Sequence, residues 1–490
     1  MLIVVLINIL ILAGLAILAI PNLVSLFLCS GIAMGCGIVL LYGLVRGTYG
    51  LRFTWLLASS LLIGYGGGSF SSIFIAGFSD LYDAFSVFGI PKPWGAYALM
   101  LVVFSSTTLL VAGFFETPLL KGVQVVRVGW KQERFIWVAL ALTAFGFLHG
   151  DYGFQGAGSE AGSGRASGLG IVVGILMHIL LPLSVIGLLQ TTGLRRMRFI
   201  FLSVVYFIAL IPGGRRGLSY TLITCAFAGF RFSGWSPRLT PTKKILLWVG
   251  FVSVIVFSAL FFYALRLASR EANGSEGSQA TTSIAPIIPI LMEDILTDPG
   301  YILRESRSNM EERPFLLMEY LSLLGKGGNM PIPLYGQDIM LAVEMSIPDA
   351  VYTILGENKQ GIRDIGTEEN LANEHFGIPD LDNANSILTA GIIDFGLVGV
   401  FLYPLAACFI LRAVYAVVDR FFNAEGQVVA VLIAVFLFLQ AEVDIGEYVQ
   451  NFRNIAIVMI LWRAIYELPT MFRLSAANVG GSEEASASAP

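Results

Sequence analysis

Residues 199–230 read FIFLSVVYFIALIPGGRRGLSYTLITCAFAGF: two apolar runs joined by Gly213-Gly-Arg-Arg-Gly217. Runs of this kind become helices in lipid, because hydrocarbon offers the backbone no other hydrogen-bond partner. The runs 199–210 and 218–230 are each about a dozen residues. At about 1.5 Å per residue each covers about 20 Å of a hydrocarbon core about 30 Å thick. On that arithmetic the turn carrying Arg215 and Arg216 lies below the membrane surface. A guanidinium there costs several kcal/mol unless it faces a wet cavity or a counter-anion. Two of them on a glycine-lined turn point to a cradle for a buried anion.

The rest of the chain agrees with a bilayer as its main solvent. Its 490 residues are 56% hydrophobic and 13% charged, with mean hydropathy +0.77. Soluble domains carry about twice that charge fraction. The net charge of −4 is confined to loops, and nothing in it calls for nucleic acid. Cys29, Cys36, Cys225 and Cys408 all fall in apolar runs and read as small buried residues, neither a disulfide framework nor a metal site. The N-terminal stretch MLIVVLINILILAGLAILAIP lacks a basic start and a small-x-small cleavage site, so it reads as a retained first helix. The tail 475–490 is small, polar and unpatterned, and reads as disordered on the cytoplasmic side.

The pattern predicts an all-α polytopic membrane protein of about twelve transmembrane helices, near 2–20, 23–45, 53–76, 95–115, 135–149, 169–190, 199–212, 217–231, 244–264, 386–411, 427–443 and 454–470. Seventeen lysines and arginines then fall in loops on the side of the N-terminus, against five (Lys92, Arg165, Arg215, Arg216 and Arg453) in the short loops opposite. The positive-inside rule places both termini in the cytoplasm and Gly213–Gly217 outside. About nine helices form a first bundle over 1–264, and the last helices occupy 386–474. Between them, 265–385 is too long for a structureless loop and reads as an extracytoplasmic cap, with helical stretches near 287–296 and 314–324 and turns over 325–333.

Several outer residues could carry chemistry. Arg215 and Arg216 would be joined by Arg266 and Arg270, one turn apart at the outer end of the ninth span. Arg304 and Arg307 lie on one face of a cap helix. Arginine binds phosphate bidentately and keeps its charge, so such a cavity suits a diphosphate headgroup. Arg304, Arg307 and Arg313 also have Glu305, Glu311 and Glu312 beside them and can pair there instead. Of three histidines, His149 and His178 lie at or in spans and read as structural. His375 lies in the cap near the membrane mouth, where it could act as general base on a sugar hydroxyl. Asp380 and Asp382 form a D-x-D, and Asn385 could bind substrate or simply cap the tenth span. Asp394 is an acid inside that span, flanked by Gly391, Gly396 and Gly399, and intramembrane acids are functional candidates by default. Glu442, Asp444 and Glu447 add an acidic rim. No P-loop, G-x-G-x-x-G or H-E-x-x-H occurs, so no cofactor or metal is expected and the energy must come from the substrate or an ion gradient.

Two of these pieces resemble the O-antigen polymerase (Wzy-type) family of oligosaccharide repeat-unit polymerases. Gly214-Arg-Arg-Gly217 resembles that family's Gly-Ser-Arg-Gly-like turn, with an extra arginine in place of the small residue. Asn385…Thr389…Asp394-Phe-Gly396…Gly399 resembles its N…T…DFG…G span after a large loop. The resemblance implies ten to fourteen helices in the bacterial inner membrane and a long periplasmic loop late in the chain. It also implies transfer of a growing glycan from undecaprenyl diphosphate onto an incoming lipid-linked repeat unit, beside a flippase and a chain-length regulator. On that reading Arg215, Arg216, Arg266 and Arg270 hold the diphosphate. His375 or Asp382 takes the acceptor proton, and Arg304, Asn385 and Asp394 contact substrate. The rival readings are an O-antigen ligase, whose acceptor is lipid A-core; a glycosyltransferase using monophosphate lipids, disfavoured by a first outer loop of only Pro21-Asn22; a flippase for lipid-linked sugars; and a scaffold.

Overall fold

The computed structural model describes residues 2–20, 22–48, 50–80, 94–115, 128–148, 168–210, 214–234, 333–347, 349–356, 386–422, 424–438 and 452–465, with scattered positions in 242–300, 371–377 and 441–450. All regular structure among them is helical: α1 (Leu2–Ala19), α2 (Leu23–Arg46), α3 (Phe53–Asp80), α4 (Trp94–Phe114), α5 (Trp130–Leu148), α6 (Gly168–Gln190), α7 (Gly193–Leu210), α8 (Gly214–Phe232), α9 (Gln337–Ser346), α10 (Asp349–Leu355), α11 (Ile387–Phe395), α12 (Gly399–Phe421), α13 (Ala424–Phe438) and α14 (452–465). Among the described residues four stretches are long and apolar enough to cross a membrane by length and composition: α2, α4, Val172–Gln190 of α6, and Ile387–Phe421; α1 and α13 hold shorter apolar stretches.

The bundle has an inside and a lipid side. On α1, Ile3, Leu6, Leu10 and Ile17 recur at helical spacing and are buried, while Val4, Leu12, Leu15 and Leu18 on the other face are exposed. The same holds on α7 for Phe201, Val204 and Ile208 and on α12 for Phe401, Leu405 and Phe409. Water would not tolerate apolar faces of this extent, but acyl chains do. In lipid, helices gain nothing from hiding leucine, so close contact has to come from small residues. A Cβ added at Gly66 of α3 would lie 2.5 Å from the Met34 nitrogen and 2.6 Å from the Ser30 carbonyl of α2, and one at Gly37 would lie 2.9 Å from the Ser59 carbonyl. The α2–α3 pair is therefore packed backbone to backbone.

Ends are set by short-range chemistry. The Asn22 side chain accepts from the Ser25 nitrogen at 2.9 Å and starts α2; Gly47, at φ 71°, closes it. Arg134 donates to the carbonyl of Ile465 at 3.0 Å and caps α14 with a cation, where the helix dipole favours one.

The structure corrects two expectations. Gly214 to Gly217 is not a turn but the first turn of α8. With 18 and 19 residues, α7 and α8 are each about 27–28 Å long. The helices outrun their apolar runs because arginine-bearing segments, Arg195, Arg196 and Arg198 on α7 and Arg215 and Arg216 on α8, are helical too. Helix length thus no longer forces the connection beneath the surface. The expected tenth span, 386–411, is also not one helix. Residues eight apart on a straight helix are about 12 Å apart. Here a Cβ on Gly391 would lie 2.6 Å from the Gly399 carbonyl, and one on Gly399 would overlap the Gly391 carbonyl. The chain reverses through a 3-10 turn at Gly396–Val398, with Gly396 at φ 60° and ψ −149°, a conformation open to glycine alone. The short α11 folds back on α12, and both glycines are needed for the contact. The ninth span and the cap stretch 314–324 lie outside the described residues, save isolated positions of the former.

Candidate functional site

The first turn of α8 rests on a rigid floor. Thr221 donates to the Gly217 carbonyl at 2.6 Å, which leaves its oxygen to accept from Nδ1 of His178 on α6, also at 2.6 Å. The His178 ring stacks on Phe436 of α13, centroids 3.9 Å apart at 14°. A Cβ on Gly217 would sit 2.8 Å from the His178 Cε1. His178 is therefore a structural residue, and Gly217 of the Gly-Arg-Arg-Gly element is glycine because the imidazole lies against it. Arg215 and Arg216 precede that contact on the same turn, at the helix end where unpaired N–H groups and the macrodipole attract anions. Replacing Gly217 with leucine should push α8 off α6: thermal unfolding in detergent should start several degrees lower, as expected for overpacking of about 1–3 kcal/mol.

Asp394 has a different surrounding from the one anticipated. Its carboxylate is wholly buried and takes N–H donors from Asp338 at 2.9 Å and Ile339 at 3.0 Å, the first turn of α9, with the Tyr403 hydroxyl as a third donor. The helix position that would normally supply a capping side chain is Gly336, which has none. Asp394, 56 residues beyond Asp338, caps α9 in its stead. In return, the nitrogens of Leu334 and Tyr335 bond the carbonyls of Ile393 and Asp394 at 3.1 and 2.7 Å, closing the end of α11. The other end of α9 is held by Arg453 of α14, which donates to the Ser346 carbonyl at 2.8 Å. An acid at the N-terminus and a cation at the C-terminus both match the helix dipole. The acid of the Asp-Phe-Gly element is thus a latch for α9, its oxygens already taking three donors of the protein.

The start of α11 is buried as deeply. Ser386 and Thr389 form a reciprocal capping box, and the Tyr65 hydroxyl of α3 donates to the Ser386 hydroxyl at 2.5 Å. Ser69 bonds Tyr97 of α4 at 3.1 Å in the same region of α3. Thr389, part of the family-like element, is accordingly a cap residue.

Of the other expected site residues, His375 lies in a helical stretch, is exposed, and has Phe376 beside it at 6.5 Å between ring centroids. The backbones of Arg215 and Arg216 are described and their side chains are not; Arg266, Arg270, Arg304, Asp382 and Asn385 lie outside the described residues. The clamp partners Tyr403 and Arg453 are additions that no short motif signals. Comparison of the chain with protein-family models, with curated proteins and with solved structures finds no match.

Proposed function

We propose that this chain is a membrane glycosyltransferase that polymerises undecaprenyl-diphosphate-linked repeat units into a surface polysaccharide. The observation that carries the reading is the pair Arg215 and Arg216 on the first turn of α8. Cations at a helix N-terminus are unfavourable by about 0.3–1 kcal/mol each unless an anion compensates them. Here the turn is also locked in place by Thr221, His178 and Phe436. Two cations on a helix start held in this way suit the leaving group of glycosyl transfer, a lipid diphosphate whose charge grows as the sugar–phosphate bond breaks.

The proposed topology keeps about twelve spans, cytoplasmic termini and a periplasmic cap over 265–385. Arg266 and Arg270 would complete the diphosphate clamp, His375 or Asp382 would take the proton from the acceptor hydroxyl, and Arg304 and Asn385 would contact sugar. Asp394 is assigned to holding α9 against the end of α11, which accounts for an acid inside an apolar helix without giving it substrate. The resemblance at Asn385…Thr389…Asp394-Phe-Gly396…Gly399 favours the polymerase over the ligase, and the long segment 265–385 favours it over the flippase. The reading is tested with protein in proteoliposomes supplied with a polyprenyl-diphosphate-linked repeat unit. A ladder of longer lipid-linked glycans is expected. Sugar moved across the bilayer without lengthening would replace the enzyme with a flippase.

A further inference from the structure

At the far end of α8 from Arg215 and Arg216 sits a second guanidinium with an unusual environment. Arg231 lies in the last turn of the helix, 16 residues and so about 24 Å from Arg215. It is 0% exposed. Among the described residues none of its three nitrogens, Nε, Nη1 or Nη2, has a hydrogen-bond partner. Buried charges are ordinarily paired and hydrogen-bonded, since an isolated one loses its hydration with nothing in exchange. A helix C-terminus offers a guanidinium some compensation. The carbonyls that could give it directly, those of Phe232 and Ser233, receive Nε2 of Gln190 instead, at 3.4 and 3.2 Å.

The neighbourhood is built and it is positive. Gln190, at the end of α6, also accepts from the Val128 nitrogen at 3.0 Å, and Arg195 of α7 donates to the Val128 carbonyl at 2.9 Å. These bonds fasten the ends of α6, α7 and α8 and the approach to α5 into one layer. Glu133 is the one carboxylate that the described parts of α5 to α8 bring to it, and it is already shared by Arg195 at 3.1 Å and Arg198 at 3.6 Å. Arg196 stands exposed on the same turn of α7. On the described parts of these helices four arginines stand against one acid, and the buried one has no hydrogen-bond partner among the described residues.

We propose that Arg231 is the centre of a phosphate-binding site, filled by the phosphate of a phospholipid headgroup or by free phosphate. The planar guanidinium fork matches two phosphate oxygens, and it keeps its charge whatever surrounds it. This site is independent of the diphosphate clamp, at the other end of the same helix.

The test uses the full chain in maltoside micelles, whose headgroup carries no phosphate, with two probes: phosphatidylglycerol mixed into the micelles, and inorganic phosphate added without lipid. Wild type is expected to gain several degrees in unfolding temperature with one of them. A gain with phosphatidylglycerol alone assigns a lipid headgroup, and a gain with inorganic phosphate assigns the free ion. Arg231→Gln should abolish the gain. Arg231→Lys, which keeps the charge but loses the fork, should raise the half-saturating concentration at least tenfold and serves if the glutamine variant does not fold. Arg412→Gln, an exposed arginine of α12 outside this region, should retain the gain. No gain with either probe in wild type, or an equal gain in wild type and the Arg231 variants, would overturn the assignment.

Discussion

Replacing Asp394 with alanine should release α9 from the membrane bundle and destabilise the protein by about 3–5 kcal/mol. The substitution removes the acceptor for two backbone N–H groups and a tyrosine hydroxyl, all in a buried setting, and each orphaned buried donor costs about 1–3 kcal/mol. Asp394→Asn keeps the shape with one acceptor oxygen in place of two, so it should fall between. Hydrogen exchange reads the effect locally. The amides of Asp338 and Ile339 should exchange at least a hundredfold faster in the alanine variant, while those of the α2–α3 pair should stay near wild type. Arg453→Gln should loosen the Ser346 end of the same helix with a smaller effect, since it loses one bond to an otherwise acceptable carbonyl.

The second large effect concerns the charge cradle. Changing Arg215 and Arg216 together to lysine keeps both charges and removes both forks. If those residues stabilise a departing diphosphate, glycan lengthening by purified protein should fall by about a hundredfold or more, the range seen when a preorganised transition-state donor is lost. Thermal stability should be nearly unchanged, because both charges are kept and the contacts of Gly217, Thr221 and His178 that hold the turn are untouched. The single variants then decide which arginine matters. Full activity in the folded double variant would eliminate the bidentate clamp.

The helices were legible because apolar run length is a direct readout of what lipid demands. Their ends were less so. The arginines at 195–198 and 215–216 break the hydropathy of α7 and α8 without breaking the helices, so apolar runs understated helix length and the depth argument built on them failed. The fold-back after α11 was hidden for the opposite reason: residues 387–421 are apolar almost throughout, and hydropathy reads them as one span. The clue was the spacing of Gly391, Gly396 and Gly399, which was noticed as a packing signal but not as a reversal. The clamp on α9 was out of reach, since its partners lie 56 and 107 residues apart in the chain. Arg231 is one of the seventeen lysines and arginines on the side of the N-terminus, and nothing in the residues around it distinguishes a buried arginine from an exposed one such as Arg412. His178 was read as structural, and its stacking on Phe436 beneath Gly217 gives that reading a mechanism.

Polymerisation of lipid-linked repeat units is the central claim, and the surface glycan of a deletion strain tests it most directly. The account predicts glycan halted at a single repeat unit in the deletion strain, with a full ladder restored by the wild-type gene and not by the Arg215→Ala, Arg216→Ala double variant. A ladder that persists unchanged in the deletion strain, or the loss of every repeat from the acceptor, would contradict it.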